Sequence, residues 1–183
     1  MNTITLSKQD KILNGEILLP SSKSISNRAL ILQYLSGNRF TFNNLSGADD
    51  TQLLVQLLRL IDENKGSKTP VRIDCVNAGT TLRFLTALLA VTHGNWLITG
   101  SERMKERPIS ILAESLKKFG ADISYTDSDG FPPILNRGKD LTGGLLEIDG
   151  SISSQFISAL LLIAPTIRNG IELRIKNKVS SLP

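Results

Sequence analysis

Val71-Arg72-Ile73-Asp74-Cys75-Val76, then Asn77-Ala78-Gly79-Thr80-Thr81-Leu82-Arg83, then Trp96-Leu97-Ile98-Thr99 decide the fold class. The first segment is rich in β-branched residues and predicts a strand over 71–76. Asn77-Ala78-Gly79 is turn chemistry, and the apolar run behind it predicts a helix over 80–91. A second strand follows over 96–99. Strand, helix and strand in succession point to an α/β architecture.

The same alternation extends both ways. Downstream it predicts a helix over 108–119, with Pro108 in the first helical position and Gly120 as its stop. A strand over 122–125 comes next. Residues 130–145 read as loop-rich, followed by a strand over 145–148, a helix over 154–164 and a strand over 171–175. Upstream, alternation in 11–20 predicts strands, 24–35 a helix stopped by Gly37, and Phe40-Thr41-Phe42 a strand. A helix over 49–61 carries an apolar stripe of Leu53, Leu54, Leu57, Leu58 and Ile61, with Asp49 or Asp50 as its cap. Key helices thus open near Ser24, Thr80 and Ser153, a structural repeat without a strict sequence period.

Composition excludes several classes. The 183 residues are 40% hydrophobic and 21% charged, with a net charge of +4. Aromatic content of 5% is too low for the stacking platforms of single-strand nucleic-acid binders. No apolar run reaches membrane-spanning length. A single cysteine, Cys75, excludes an internal disulfide and reads as a core thiol. One cysteine and one histidine, His93, argue against a zinc site, and His93 reads as a capping or surface residue. The start of the chain carries neither a signal nor a transit pattern, so a cytoplasmic location is expected.

Four stretches place hydroxyl and basic residues where helices open: Pro20 to Arg28, Asn77 to Arg83, Arg103 to Pro108 and Gly150 to Gln155. A helix N-terminus carries partial positive charge and ordinarily attracts acidic residues, so added cations there cost stability unless an anion binds. Lys23 precedes the first helix, and Ser24 and Arg28, four apart, share its face. Gly79 permits close backbone approach, with Thr80 and Thr81 as hydroxyls and Arg83 in the first turn. Arg103, Lys105 and Arg107 alternate, so an extended segment would point all three one way. Ser153, Ser154 and Gln155 offer more donors than one cap requires. Taken singly, each has an ordinary reading: a solvated helix start, a turn and cap, a basic loop, a cap. Together they point to a site for more than one anionic group.

These segments resemble the 5-enolpyruvylshikimate-3-phosphate synthase family, also called 3-phosphoshikimate 1-carboxyvinyltransferase. The resemblance runs through the whole chain. Ser22-Lys23-Ser24-Ile25-Ser26-Asn27-Arg28 together with Arg103-Met104-Lys105-Glu106-Arg107-Pro108-Ile109 carry it most specifically. It implies an enolpyruvyl transferase-like lobe built from repeated βαβαββ units with helices packed inside. Residues 1–19 would be strands that pack with the other lobe, and 20–183 an incomplete N-terminal lobe. The C-terminal lobe would be absent, and with it the aspartate, lysine and glutamate that transfer protons, so no catalytic residue is assigned here.

The implied reaction moves the enolpyruvyl group of phosphoenolpyruvate to the 5-hydroxyl of shikimate 3-phosphate and releases phosphate, on the way to chorismate and the aromatic amino acids. The resemblance assigns Lys23, Ser24, Arg28, Ser153, Ser154, Gln155 and Ser181 to shikimate 3-phosphate. It assigns Lys23, Asn77, Gly79, Thr80, Arg107 and Gln155 to phosphoenolpyruvate. It implies no metal and no organic cofactor, and no nucleic-acid or membrane partner. The chain alone is expected to bind shikimate 3-phosphate weakly and to turn over negligibly. Phe84 follows Arg83 where many family members carry proline. The alternatives are a UDP-N-acetylglucosamine enolpyruvyl transferase, which would need a reactive loop cysteine, and a non-catalytic anion or nucleic-acid binding module.

Overall fold

The computed structural model describes residues 3–7, 9, 10, 12, 14–37 and 39–177. Its centre is a complete βαβαββ unit. β1 (Val71–Asp74) runs through α3 (Gly79–Ala90) to β2 (Gly94–Thr99), which pairs with it in parallel. A short α4 (Glu102–Lys105) and α5 (Ser110–Lys118) lead to β3 (Asp122–Tyr125) and β4 (Ile134–Gly138). β4 pairs antiparallel with both β2 and β3, giving the order β1-β2-β4-β3. β5 (Thr142–Asp149), α6 (Ser154–Ile163) and β6 (Arg168–Lys176) form a second parallel crossover. Two further helices, α1 (Lys23–Leu35) and α2 (Asp49–Glu63), precede the central unit.

The helices lie inside and the sheets outside. α3 is the hub: Leu82, Phe84, Leu85, Ala87, Leu88, Leu89 and Ala90 are all buried. A helix apolar on every side has no face for solvent. It packs on α1, α5, α6, β2 and β4. α2, by contrast, buries one stripe through Leu54, Leu57, Leu58 and Ile61. Two devices bind the sheet to the hub. The buried Asn136 amide of β4 donates to Thr86 O at 3.0 Å. Gly138 closes on the end of α3 so tightly that a Cβ there would lie 1.8 Å from Thr92 O.

Several expected elements take another form. The described part of 12–20 pairs with no strand, and Ile17, Leu18 and Leu19 are exposed; Lys11 and Leu13 fall outside the described residues. Residues 40–42 are also unpaired, with Phe40 O accepting from the Gln33 side chain instead. An alternating pattern specifies a strand only when a neighbour supplies the other half of the ladder. Neither Asp49 nor Asp50 caps α2, whose N-cap is Ala48. Helix α5 starts at Ser110, not Pro108: the Ile109 and Ser110 amides both donate to Gly130 O, and Ile109, at φ −123° and ψ −3°, is the N-cap. β4 lies in the stretch expected to be loop. Its central Asn136 interrupts the apolar run, and the hydrogen bond to α3 is what makes that burial tolerable.

Candidate functional site

The N-termini of α1, α3 and α6 converge. None of the three carries an acidic residue in its first turn, whereas α2 and α4 do. α1 is capped by Ser22, whose hydroxyl accepts from the Ile25 amide, and α6 by Ser153, whose hydroxyl accepts from the Gln155 amide. α3 has Ala78 at its N-cap and no side-chain cap, so its first amides keep their donor capacity.

The chain reaches α3 through a strained turn. Val76 has φ +48°, a left-handed conformation costly for a β-branched residue. The Val76 amide donates to Asp74 Oδ1 at 3.0 Å and its carbonyl accepts from the Ser101 amide at 2.8 Å. These bonds fix the corner that delivers Asn77 and Gly79 to the site. The Arg72 guanidinium, 2.8 Å from Asp74, holds that carboxyl below its usual range, with the Val76 amide adding to the effect.

Two adjoining hollows open at this convergence. The first, about 360 Å³, is lined by Lys23, Asp50, Asn77, Gly79, Thr80, Arg83, Arg107, Ser153 and Gln155. The second, about 330 Å³, is lined by Lys23, Ser24, Asn27, Arg28, Thr80, Ser154 and Gln155. Lys23, Thr80 and Gln155 belong to both and form the partition between them. Every described residue that the sequence assigned to either anion is therefore in one place. Ser153 faces the first hollow and Ser154 the second. Ser181 lies outside the described residues.

Among the described residues charge is strongly one-sided: Lys23, Arg28, Arg83 and Arg107 stand against Asp50 alone. Among the described residues none of the three arginines has a salt-bridge partner. Arg28 donates to the Ser24 hydroxyl at 2.5 Å and to Ser158 Oγ of α6 at 3.0 Å, and lies 5.3 Å from the Phe84 ring centroid. Arg83 donates to Gly79 O at 3.0 Å and Gln155 Oε1 at 3.2 Å, over the Phe156 ring. Burial, then the neighbouring Arg107, pulls the Arg83 guanidinium below its usual range. Two donors in these walls are buried without a partner: Arg83 Nε by the first hollow and Asn27 Nδ2 by the second. Buried donors without a protein partner and cations without a counter-charge, gathered around concave space, suit an anion.

The basic stretch over 103–107 departs from its expected extended form, whereas Cys75 and His93 take the places expected of them. Residues 102–105 form a helix, so the alternation of basic residues does not aim all three alike. Lys105 pairs with Glu102, Arg103 is exposed, and only Arg107 reaches the hollow. Cys75 is fully buried, and desolvation raises its thiol far above the usual range, as suits a core residue. His93 is a surface residue, 3.0 Å from Asp140. Among the described residues no His, Cys, Asp and Glu cluster could hold a metal, and no helix is long and apolar enough to cross a membrane. Asp50, Asn27 and Arg83 also line the hollows, beyond the residues that the resemblance assigns to either anion. Arg83 carried a signal, a cation in a first turn. Asp50 carried none, because an acid opening a helix is the ordinary choice.

A family model described as EPSP synthase (3-phosphoshikimate 1-carboxyvinyltransferase) matches residues 7–183. The chain belongs to the EPSP synthase family. A 3-phosphoshikimate 1-carboxyvinyltransferase of Bacteroides fragilis (strain YCH46) is 46% identical over 171 residues, covering 93% of this chain and 40% of that protein. One from Shewanella piezotolerans is 38% identical, covering all of this chain and 47% of that protein. The chain therefore spans less than half the length of these EPSP synthase relatives. A solved EPSP synthase from Acinetobacter baumannii superposes with a TM-score of 0.69 at 22% identity, over 84% of this chain and 39% of that one. That likeness supports the EPSP synthase fold, an enolpyruvyl transferase-like α/β lobe.

Proposed function

We propose that the chain supplies one half of the active site of a 3-phosphoshikimate 1-carboxyvinyltransferase. The observation that carries this reading is the partition: two cation-lined hollows side by side, sharing Lys23, Thr80 and Gln155. Shikimate 3-phosphate occupies the second hollow, held by Lys23, Ser24, Arg28, Ser154 and Gln155, with Ser153 reaching it from the adjoining hollow and Ser181 as a further contact. Phosphoenolpyruvate occupies the first, held by Lys23, Asn77, Gly79, Thr80, Arg107 and Gln155. The 5-hydroxyl then lies next to the carbon that bears the phosphate. A C–O bond forms there and the phosphate leaves.

The contribution of this half is positioning and charge neutralisation. Arg107 and the uncapped start of α3 face the departing phosphate. Proton transfer belongs to groups of the other lobe, since Asp50 is the one carboxylate lining these walls and it is engaged by Lys23. The reading requires neither metal nor organic cofactor. It places the protein in the cytoplasm, among enzymes of aromatic amino acid biosynthesis.

Calorimetric titration tests it. The 183-residue chain is expected to bind shikimate 3-phosphate at one site, and Lys23→Ala to abolish the heat while circular dichroism stays unchanged. A folded parent chain with no heat at millimolar ligand would overturn the assignment. Measurable turnover by the chain alone would overturn the division of labour between lobes.

A further inference from the structure

Among the described residues Asp50 is the single carboxylate on either wall, a group that repels the ligands the hollows are built for. Its placement is fixed by three helices. It lies in the first turn of α2. The next residue, Thr51, donates its hydroxyl to the buried Asn27 Oδ1 of α1 at 2.8 Å. The Thr81 hydroxyl of α3 reaches Asp50 O at 3.5 Å, and the Ser46 amide donates to Ser26 Oγ of α1 at 3.0 Å. From this mount Asp50 Oδ2 accepts from Lys23 Nζ at 2.8 Å.

Lys23 is 51% exposed, so the pair adds little to stability. What it changes is the lysine's freedom. An ammonium on a four-carbon stem has three donors and many orientations. One donor committed to Asp50 holds the nitrogen on the partition and leaves two for the ligands.

We propose that Asp50 is a specificity-determining positioning residue that keeps Lys23 from being captured by a lone phosphate. The proposal rests on the two-ligand reading above. A free phosphate in either hollow gains Lys23 but faces the Asp50 charge. Shikimate 3-phosphate also engages Arg28 and Ser154 and has a ring to place, so an ammonium in a fixed position repays the same repulsion. Removing a unit charge roughly 5 Å from the anion, screened by an effective dielectric constant of about 50 to 70, corresponds to about five- to tenfold in affinity.

The test is calorimetric titration of the chain, Asp50→Asn, Asp50→Glu and Asp49→Asn with inorganic phosphate and with shikimate 3-phosphate. Asp49 shares the turn but does not line the hollow. Asp50→Asn is expected to bind phosphate about five- to tenfold tighter, with shikimate 3-phosphate gaining less than about twofold. The preference for the larger ligand then falls. Asp49→Asn and Asp50→Glu are expected to stay within about twofold of the parent for phosphate, because the first carboxylate is exposed and lines neither hollow and the second charge is retained. Unchanged or weaker phosphate binding in Asp50→Asn, or equal tightening in Asp49→Asn, would sink the proposal. A parent that binds phosphate but not shikimate 3-phosphate would refute the functional reading, while the phosphate series would still decide the role of Asp50.

Discussion

Arg28→Ala separates the structural from the ligand-binding work of one side chain. In the folded chain Arg28 bridges α1 to α6 through Ser158 Oγ at 3.0 Å and lies over Phe84 at 5.3 Å. Its bonds to Ser24 stay within one helix and are exposed, so they contribute little. One partly buried interhelical hydrogen bond contributes about 1 kcal/mol. A part-exposed cation–π contact adds about 0.5 to 1 kcal/mol. The total of about 1.5 to 2 kcal/mol corresponds to a fall in Tm of about 3 to 8 °C for a domain of this size.

The ligand term is larger. A guanidinium hydrogen-bonded to phosphate is worth about 1.5 to 3 kcal/mol, or roughly 10- to 150-fold in Kd for shikimate 3-phosphate. Differential scanning calorimetry and isothermal titration in one buffer read both quantities. Arg28→Lys is expected to recover part of the affinity but little of the Tm, since an ammonium cannot serve Ser158 and a phosphate with the same planar fork. An alanine variant that binds shikimate 3-phosphate as tightly as the parent would refute the assignment, whatever its Tm.

Val76→Asn is expected to raise Tm by about 2 to 4 °C, because asparagine tolerates the left-handed conformation that valine occupies at φ +48°; thermal unfolding checks it, and a lower Tm would remove the claim of strain. Gly138→Ala is expected to cost more than about 3 kcal/mol by urea unfolding, because the added methyl meets backbone oxygens of Thr92 and Leu89 rather than a movable side chain. Cys75 is buried with its thiol raised by desolvation, so a colorimetric disulfide reagent at pH 8 is expected to modify it only as fast as the chain unfolds. Asp74 is depressed chiefly by Arg72; its stabilisation is present above the unfolded-chain value near 4 and lost as pH falls through the lower folded value. Asp74→Asn is therefore expected to flatten the acid limb of a stability–pH curve below about pH 4, and an unchanged limb would contradict it.

The fold was legible wherever an element's own residues determine it. The apolar surface of α3 and the stripe of α2 announce themselves at helical spacing. β4 did not, because its burial depends on a bond from Asn136 to α3, a partner far along the chain. The alternation in 11–20 misled, over its described residues, for the converse reason: it describes half of a ladder without the other half. At the site, Lys23, Arg28 and Arg107 stood out because a cation beside an expected helix start departs from ordinary chemistry; Gly79 and Ser154 read singly as a turn and a cap, and the family resemblance supplied their roles. Asp50 conforms to that chemistry, and only its contact with Lys23 in three dimensions gives it a role there.

The bridges that close the hollows join residues very distant in sequence: 130 positions separate Arg28 from Ser158, and 72 separate Arg83 from Gln155. Contacts of such separation carry the largest loop-closure entropy and are late events in chain collapse. Helical signal can accumulate from local segments well before those ends meet. Capacity to hold an anion is thus a property acquired near the end of refolding, and a bound phosphate ester marks molecules that have completed it.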